Sequence, residues 1–181
     1  LAMIPGLIDM HTHRQMQGYG YGDRMDRLFL GLGITATRSP GCPAYQMVEA
    51  REALASGART GPRHFACGEA VDGSRIFYNF MRPVTEPGQM ALEMQRAQAL
   101  GYDMIKTYVR MTHKVQAEVT AMAHAMGLHV SSHYHYPALF TGVDCMEHLG
   151  ATSRYGYSRT VTALGAGYGD VNGLFAGARA A

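Results

Sequence analysis

Two pairs of histidines, each with one residue between its members, could do chemistry. The first pair is His11 and His13, and the second is His133 and His135. Side chains two positions apart point to the same side of an extended strand, so both members of a pair can approach one ion. Imidazole nitrogen is a ligand for zinc and other first-row metals. The spacing indicates a metal site, and the alternative is a pair of hydrogen-bonded polar residues at a strand end.

A lysine, Lys106, follows the apolar residues Met104 and Ile105 at the predicted end of another strand. Burial at such a position disfavours the ammonium form and lowers the pKa of the lysine. A neutral amine can add carbon dioxide, and the resulting carbamate is a carboxylate-like ligand able to bridge two ions. The alternative is a lysine whose charged end reaches water or pairs with an acid.

The elements that must position these residues alternate along the chain. Extended apolar segments are predicted as strands at 6–11, 34–38, 63–68, 102–107, 128–133 and 143–148. Helices are predicted at 25–32, 45–55, 85–101, 112–126 and 170–181, with a short helical turn before 142 and a long loop at 69–84. Most helical segments end in glycine, the residue that most often follows a helix.

This alternation predicts an α/β fold with a parallel sheet and right-handed crossovers. We expect a single domain over 1–181: an incomplete (β/α) barrel of the TIM type with about six of its eight strands, because a closed barrel typically needs about 250 residues. A smaller doubly wound sheet is the alternative, although the glycine-rich phosphate loop that usually marks it is missing. Strand ends of a parallel barrel meet at one rim, where the histidines and Lys106 are expected to converge.

Three segments resemble motifs of the amidohydrolase superfamily. Residues 3–13 (Met-Ile-Pro-Gly-Leu-Ile-Asp-Met-His-Thr-His) resemble its first-strand motif, 103–106 (Asp-Met-Ile-Lys) its strand-four lysine motif, and 142–148 (Gly-Val-Asp-Cys-Met-Glu-His) its strand-six motif. Residues 152–158 are similar to a loop in the branch often fused to a β-propeller. The layout also resembles the imidazolonepropionase-like and prolidase-like subgroups.

The resemblance implies a centre of one or two divalent ions, with zinc favoured and manganese or nickel as alternatives. It implies that His11 and His13 bind the more buried ion. Lys106 would bridge as a carbamate formed with carbon dioxide, and His133 and His148 would bind the second ion.

Three further residues are candidates for substrate binding. His133 is favoured as the strand-five ligand because 133–137 aligns with a family segment His-x-x-Tyr-Pro, which leaves His135 to contact substrate. Tyr108 and Arg110 follow Lys106, and a guanidinium suits a substrate carboxylate. The alternative for both is a solvated loop, and Arg38, beyond the second strand, has the same ambiguity.

The resemblance implies hydrolysis of an amide or other C–N bond by a metal-activated hydroxide, with dipeptides or N-acyl amino acids as candidate substrates. Lactone or ester hydrolysis and deamination are alternatives within the superfamily. The family's strand-eight aspartate, which shuttles a proton, has no counterpart here, and neither do the last two barrel units and the flanking β-sandwich. The catalytic acid is therefore unassigned, and Asp9 is expected to support the turn after strand one or to hydrogen-bond a metal ligand. An inactive partial barrel that binds metal or self-associates is the alternative from another class.

Composition limits the partners. Sixteen basic and 14 acidic residues give a net charge of +2, too small to indicate nucleic acid or a membrane surface. We expect a small-molecule substrate and a homo-oligomer, since open strand edges favour self-association. The cytoplasm is the favoured location, with the periplasm or secretion as alternatives. Cys42, Cys67 and Cys145 lack metal-site spacing and are predicted to be core or near-core thiols, while the 13 methionines fill gaps in the core.

Overall fold

The computed structural model describes residues 2–13, 22–135 and 138–148. The described strands are β1 (Leu7–Asp9), β2 (Ile34–Ser39), β3 (Arg63–Ala66), β4 (Val71–Asp72), β5 (Arg82–Pro83), β6 (Met104–Thr107), β7 (His129–Ser132) and β8 (Cys145–Met146). The described helices are α1 (Gly22–Gly31), α2 (Ala44–Ala55), α3 (Pro87–Ala99) and α4 (His113–Ala125), with a 3₁₀ turn at Ala138–Thr141. The predicted helix at 170–181 and the loop at 152–158 lie outside the described residues.

The strands form two sheets, ordered β1-β2-β3 and β5-β4-β6-β7-β8, and every described pairing is parallel. The prediction of a parallel α/β fold is therefore confirmed, and each of the six predicted strands is present. Asp103, just before β6, connects the two sheets, because its N–H donates to the carbonyl of Ala66 at 2.9 Å and its carboxylate accepts the N–H of Ala66 at 2.8 Å.

The segment 69–84, predicted as a loop, contains two short strands instead. Val71 of β4 pairs with Arg82 of β5 on one side and with Thr107 of β6 on the other. Each of these strands is two residues long, too short to produce a recognisable alternation of apolar and polar residues. The rest of the segment is irregular and lies against the ends of the central strands.

The helices cover the sheets with an apolar core in which methionine is prominent. Met47 of α2, Met90 and Met94 of α3 and Val119 of α4 are buried in one cluster with Val130 of β7. Burying each such side chain contributes about 1.5–3 kcal/mol. Cys42 and Cys67 are buried and Cys145 is partly buried, all as thiols, which agrees with the prediction.

The helix ends follow the local signals in the sequence. The hydroxyl of Thr112 accepts the N–H of Val115 at 3.3 Å and caps the start of α4. Gly101 and Gly127 follow α3 and α4 with φ of 67° and 73°, a conformation in which a Cβ atom is disfavoured. None of the described helices combines the length and the apolar character needed to cross a bilayer.

Register places the C-terminal ends of the central strands at one level. Thr107 of β6 pairs with Ser132 of β7, and Ser132 pairs with Met146 of β8. The next residues of the last two strands, His133 and Glu147, therefore leave the sheet at the same rim. Because these parallel strands pair so that their C-terminal ends lie side by side, side chains from distant parts of the sequence come together at this rim.

The two histidines that follow β1, His11 and His13, lie at the same rim. Asp9 pairs with Thr37 of β2, and the N–H of Thr12 donates to the carbonyl of Arg38 at 2.9 Å, so the chain continues beside β2 after β1 ends. The carboxylate of Asp9 accepts the N–H of His11 at 3.0 Å. Asp9 thus supports the turn after strand one, as predicted.

The carboxylate of Asp144, the residue before β8, binds the neighbouring strand and helix. Its replacement by asparagine is expected to lower the free energy of unfolding by about 1 kcal/mol at neutral pH. One carboxylate oxygen accepts the N–H of Val130 at 2.7 Å and lies 2.9 Å from Nε2 of His124. The backbone N–H and then His124 lower the pKa of Asp144. The carboxylate therefore stabilises the fold above the unfolded-state pKa of about 3.9, and this stability is lost as pH falls through the folded-state pKa.

Urea denaturation at a series of pH values tests this expectation. The difference between the wild type and Asp144→Asn is expected to shrink as the pH is lowered through the acidic range. Glu118→Gln, which removes an exposed pair with Lys114 at 3.9 Å, is the control and is expected to change little. A difference that does not depend on pH would contradict the assignment.

Candidate metal centre

A cavity of about 420 Å³ opens at the rim of strand ends. Its lining residues are His11, His13, Pro40, Gly41, Tyr78, Phe80, Met81, Lys106, Tyr108, His133 and His148. All five residues predicted as metal ligands therefore lie around one space. A larger groove of about 720 Å³ lies at the opposite ends of the strands, where Arg63 begins β3. It is broad and open, and only the 420 Å³ cavity contains the predicted ligands.

The first histidine pair is held by an acceptor behind each ring. Nδ1 of His11 lies 2.9 Å from a carboxylate oxygen of Glu147, and Nδ1 of His13 lies 3.0 Å from the backbone carbonyl of Gly41. Both partners accept only, so each Nδ1 carries the proton. In the neutral form of both rings the two Nε2 atoms are then lone-pair acceptors, and they lie 3.0 Å apart.

Two acceptors at this separation repel each other unless a cation lies between them. A proton could play this role, but burial, partly offset by the Gly41 carbonyl, lowers the pKa of His13 and disfavours its imidazolium form. A divalent ion satisfies both lone pairs without protonating either ring. The donor set of His11 and His13 therefore fits a metal.

Lys106 lies at the end of β6 with its side chain only 2% exposed. Its nearest acid is Glu147, with Nζ 3.6 Å from a carboxylate oxygen, and within the described residues Nζ has no hydrogen-bond partner. Burial, partly offset by the charge of Glu147, lowers the pKa of Lys106 to about 8. The amine is therefore buried and incompletely satisfied, and a substantial fraction of it is neutral at mildly alkaline pH.

The remaining imidazoles form a continuous group around the cavity. The ring of His148 lies 4.6 Å from that of His11 and 4.6 Å from that of His133, measured between centroids. Burial lowers the pKa of His133 to about 3 and that of His148 to about 4, so both rings are neutral at neutral pH, as a metal ligand must be. His135 is placed differently, because its Nε2 lies 3.1 Å from the backbone carbonyl of His148 and its side chain does not line the cavity.

Within the described ranges, no group of three or more His, Cys, Asp or Glu side chains is arranged so that it could hold a metal ion. The set around the cavity instead mixes imidazoles with the amine of Lys106. Lys106 as it stands is a cation or a neutral amine, and neither form is an oxygen ligand. The imidazoles alone are suitable metal ligands, and Lys106 would supply oxygen only after a change in its chemical form.

Glu147 and Arg38 are buried beside the cavity, and the sequence did not single out Glu147. The guanidinium of Arg38 contacts both carboxylate oxygens, at 2.5 and 3.1 Å, and also donates to the carbonyl of Met10 at 2.8 Å. Arg38 is thus neither a solvated loop residue nor a free receptor for a substrate carboxylate. The position of Glu147 next to His148 in the strand-six motif was the available signal, but its partner is 109 residues away.

Burial alone would raise the pKa of Glu147. The hydrogen bond from His11, the charge of Lys106 and the hydrogen bond from Arg38 reverse this effect and hold the pKa well below the ordinary range. The ionised carboxylate fixes the tautomer and the orientation of His11. It also balances the two buried cations.

Tyr108 and Arg110, both predicted to bind substrate, are placed differently from each other. Tyr108 lines the cavity, with its ring 4.3 Å from that of His133. The Arg110 side chain does not line the cavity, because its guanidinium donates to the carbonyls of Arg75 and Ile76 at 2.9 and 2.7 Å. Two good acceptors on the adjacent loop hold the Arg110 guanidinium away from the cavity.

The chain is similar in structure to hydrolases of known fold. It matches a Xaa-Pro dipeptidase with bound methionine in its active site at 21% identity and a TM-score of 0.69, over 83% of this chain and 49% of that one. A prolidase in complex with N-methylphosphonate-L-proline matches at 16% identity and a TM-score of 0.64, over 97% and 60%. A bottromycin amidohydrolase matches at 23% identity and a TM-score of 0.65, over 88% and 34%.

No protein-family model and no curated protein matches the sequence. The chain spans between 34% and 60% of the length of the three solved structures. The similarity covers between 83% and 97% of this chain, and it agrees with the resemblance of the sequence motifs. Over the part that the structure describes, the chain shares the fold of these solved structures.

Proposed function

We propose that the protein is a metal-dependent hydrolase that cleaves an amide or related C–N bond. The observation that carries this proposal is the pair of Nε2 atoms of His11 and His13, which lie 3.0 Å apart beside the cavity. The cavity also contains Lys106 and two neutral imidazoles, and the fold is that of an amidohydrolase. The fold is proposed to be a single (β/α) barrel domain over 1–181, incomplete, with about six of its eight strands.

In the proposed centre, His11 and His13 would hold one divalent ion, zinc being favoured and manganese or nickel the alternatives. His133 and His148 would hold a second ion. A bound divalent ion makes hydroxide available near neutral pH and polarises a carbonyl group. The protein's own part is to orient the rings: Glu147 and the Gly41 carbonyl hold the first pair, and Tyr108 shields His133 from water.

Lys106 is proposed to bridge the two ions as a carbamate. The neutral amine forms a bond to the carbon of carbon dioxide and releases one proton. The lowered pKa of Lys106 and its incompletely satisfied Nζ support this step. The product would carry carboxylate-like oxygens in a cavity whose described lining includes no Asp or Glu side chain.

The substrates are proposed to be dipeptides or N-acyl amino acids, in keeping with the dipeptidase and prolidase to which the chain is similar. The acid that delivers a proton to the leaving amine stays unassigned. The expectations of a homo-oligomer and of a cytoplasmic location stay predictions. An exposed first strand, with Leu7 and Ile8 on its surface, favours self-association.

A second candidate is a partial barrel that binds metal without turnover. The observation that favours it is the state of Glu147, the one carboxylate among the described residues that contacts the predicted ligands His11 and Lys106. It is committed to Arg38, Lys106 and His11, so it is not available to shuttle a proton. This candidate predicts bound metal and no hydrolysis.

Elemental mass spectrometry and hydrolysis assays test the proposal on the full chain, purified without chelator and supplied with bicarbonate. About one or two ions per chain and hydrolysis of a panel of dipeptides and N-acyl amino acids are expected. His11→Ala is expected to lose metal and activity together, and His129→Ala, which removes an exposed histidine away from the cavity, is expected to keep both. Absence of retained metal in the wild type would overturn the proposal, and metal without turnover would favour the second candidate.

A further inference from the structure

One wall of the cavity is aromatic. Two loops form it: the segment after β4 contributes Tyr78, Phe80 and Met81, and the segment after β6 contributes Tyr108. The rings of Tyr78 and Phe80 are stacked, with centroids 5.7 Å apart and an interplanar angle of 11°. Tyr108 lies 5.7 Å from Tyr78, so the rings form a continuous surface, here called the aromatic wall.

A buried carboxylate fixes the backbone of both loops that carry the wall. Asp72 is fully buried and accepts three N–H groups: those of Gly73 at 2.9 Å, Phe77 at 3.1 Å and Arg110 at 2.7 Å. Burial raises the pKa of Asp72, and these donors oppose the rise. The carboxylate ties the loop after β4 to the loop after β6.

The side chain of Arg110 also connects the loop after β6 to the loop after β4. Its guanidinium donates to the carbonyls of Arg75 and Ile76 and lies over the ring of Phe77, 5.3 Å from the centroid. The backbones approach so closely that a Cβ atom on Gly73 would lie 2.1 Å from the carbonyl oxygen of Arg110. A surface fixed in this way loses little conformational entropy when a ligand binds.

The aromatic wall adjoins the histidines at two places. The ring of Tyr108 lies 4.3 Å from that of His133. A Cβ atom on Gly41 would lie 3.6 Å from the ring of Phe80 and 3.7 Å from Cε1 of His13, so the space beside Gly41 borders both side chains. A group that rests on the wall is therefore next to the Nε2 atoms of the first histidine pair.

The wall is accessible and carries no acid. Tyr78 lines the cavity and is 39% exposed, so part of this residue is accessible. The described residues that line the cavity include no Asp or Glu, and their polar side-chain groups are those of the histidines, Lys106 and the two tyrosines. The surface therefore suits an uncharged, flat apolar group rather than a cationic one.

We propose that the aromatic wall binds an aromatic side chain of the substrate, on the residue next to the scissile bond. The substrate class is then an N-acyl amino acid or a dipeptide with a large flat side chain such as that of tryptophan or phenylalanine. This inference rests on the proposed hydrolase function. It adds to that function the type of substrate side chain that the cavity is expected to bind.

The chain contains no tryptophan, so the indole of a ligand is the only indole in the sample. N-acetyl-L-tryptophanamide is titrated with the full chain, with and without zinc, and its fluorescence anisotropy is followed at the red edge of the indole band, where tyrosine does not absorb. Saturable binding is expected, with competition by N-acetyl-phenylalaninamide and none at equal concentration by N-acetyl-alaninamide. Tyr78→Ala and Phe80→Ala are each expected to weaken binding about tenfold.

Tyr45→Ala removes an exposed tyrosine outside the cavity and is the matched control, expected to bind like the wild type. Phe80→Leu keeps an apolar side chain, so a loss of affinity in a variant with unchanged circular dichroism separates stacking from folding. Equal affinity for the tryptophan and alanine ligands would overturn the inference. Hydrolysis with equal kcat/KM for aromatic and small side chains would also overturn it and leave the proposed function standing. Ligand binding that depends on Tyr78 and Phe80, without any hydrolysis, would support the role of the aromatic wall and contradict the proposed hydrolase function.

Discussion

Replacement of Glu147 by glutamine is expected to lower the free energy of unfolding by about 3–5 kcal/mol. The side chain is 2% exposed and lies within ion-pair distance of Arg38, Lys106 and His11. Glutamine keeps the shape but removes the charge, so the buried guanidinium of Arg38 is left without a counter-ion. Urea denaturation of the metal-free protein, in the presence of a chelator, measures the change.

Two comparisons make this expectation specific. Arg38→Met combined with Glu147→Gln is expected to cost less than the sum of the two single changes, because most of the penalty comes from leaving one buried charge unpaired. Glu93→Gln removes an acid that pairs with the half-exposed Arg82 at 3.0 Å and is expected to cost below about 1 kcal/mol. Equal destabilisation by Glu93→Gln and Glu147→Gln would contradict the role assigned to the buried carboxylate.

The same Glu147→Gln variant bears on the proposed metal centre. Glu147 holds Nδ1 of His11 in its protonated form, which leaves Nε2 as the lone pair. Loss of such a supporting carboxylate typically weakens metal affinity about 10–100-fold. Competition with a fluorescent zinc chelator is expected to show a decrease of this size.

Replacement of Lys106 by methionine is expected to have opposite effects on stability and on metal content. In the metal-free protein, the buried Nζ atom lacks a hydrogen-bond partner among the described residues, and a buried unsatisfied group costs about 1–3 kcal/mol. Methionine has a similar length and no charge, so the metal-free variant is expected to be as stable as the wild type or more stable. The same change removes the proposed carbamate, and the metal content is expected to fall.

Thermal denaturation in chelator and elemental analysis of the loaded protein measure the two effects separately. Lys114→Met, which changes a lysine that is 85% exposed in its side chain, is the matched control and is expected to leave the metal content unchanged. Strong destabilisation of the metal-free Lys106→Met protein would show that the amine serves chiefly as a partner of Glu147. That result would remove the support for Lys106 as a metal ligand.

Local signals in the sequence were sufficient for the order of the elements. Glycines such as Gly101 and Gly127 mark the ends of α3 and α4 because their left-handed backbone disfavours a Cβ atom. The cap at Thr112 and the apolar runs of β6 and β7 are likewise short-range features. The two-residue strands β4 and β5 were missed, since so short a segment carries no period.

The convergence of His11, His13, Lys106, His133 and His148 was also predictable from the sequence. Each of these residues lies at or just beyond the end of a predicted strand, and parallel strands place those ends at one rim. This argument needs no side-chain detail, because it depends only on strand direction and register. Their role as metal ligands stays a prediction.

Only the tertiary structure determined which ion-pair and hydrogen-bond partners the side chains have. Arg38 turns to Glu147, 109 residues away, and Arg110 turns to the loop after β4 instead of toward the cavity. The aromatic wall likewise brings together Tyr78 and Tyr108 from two loops whose paths no local pattern specifies. The physical reason is that strand order and direction follow from short-range preferences, whereas a side chain's partner depends on distances between segments that are set only when the whole core has packed.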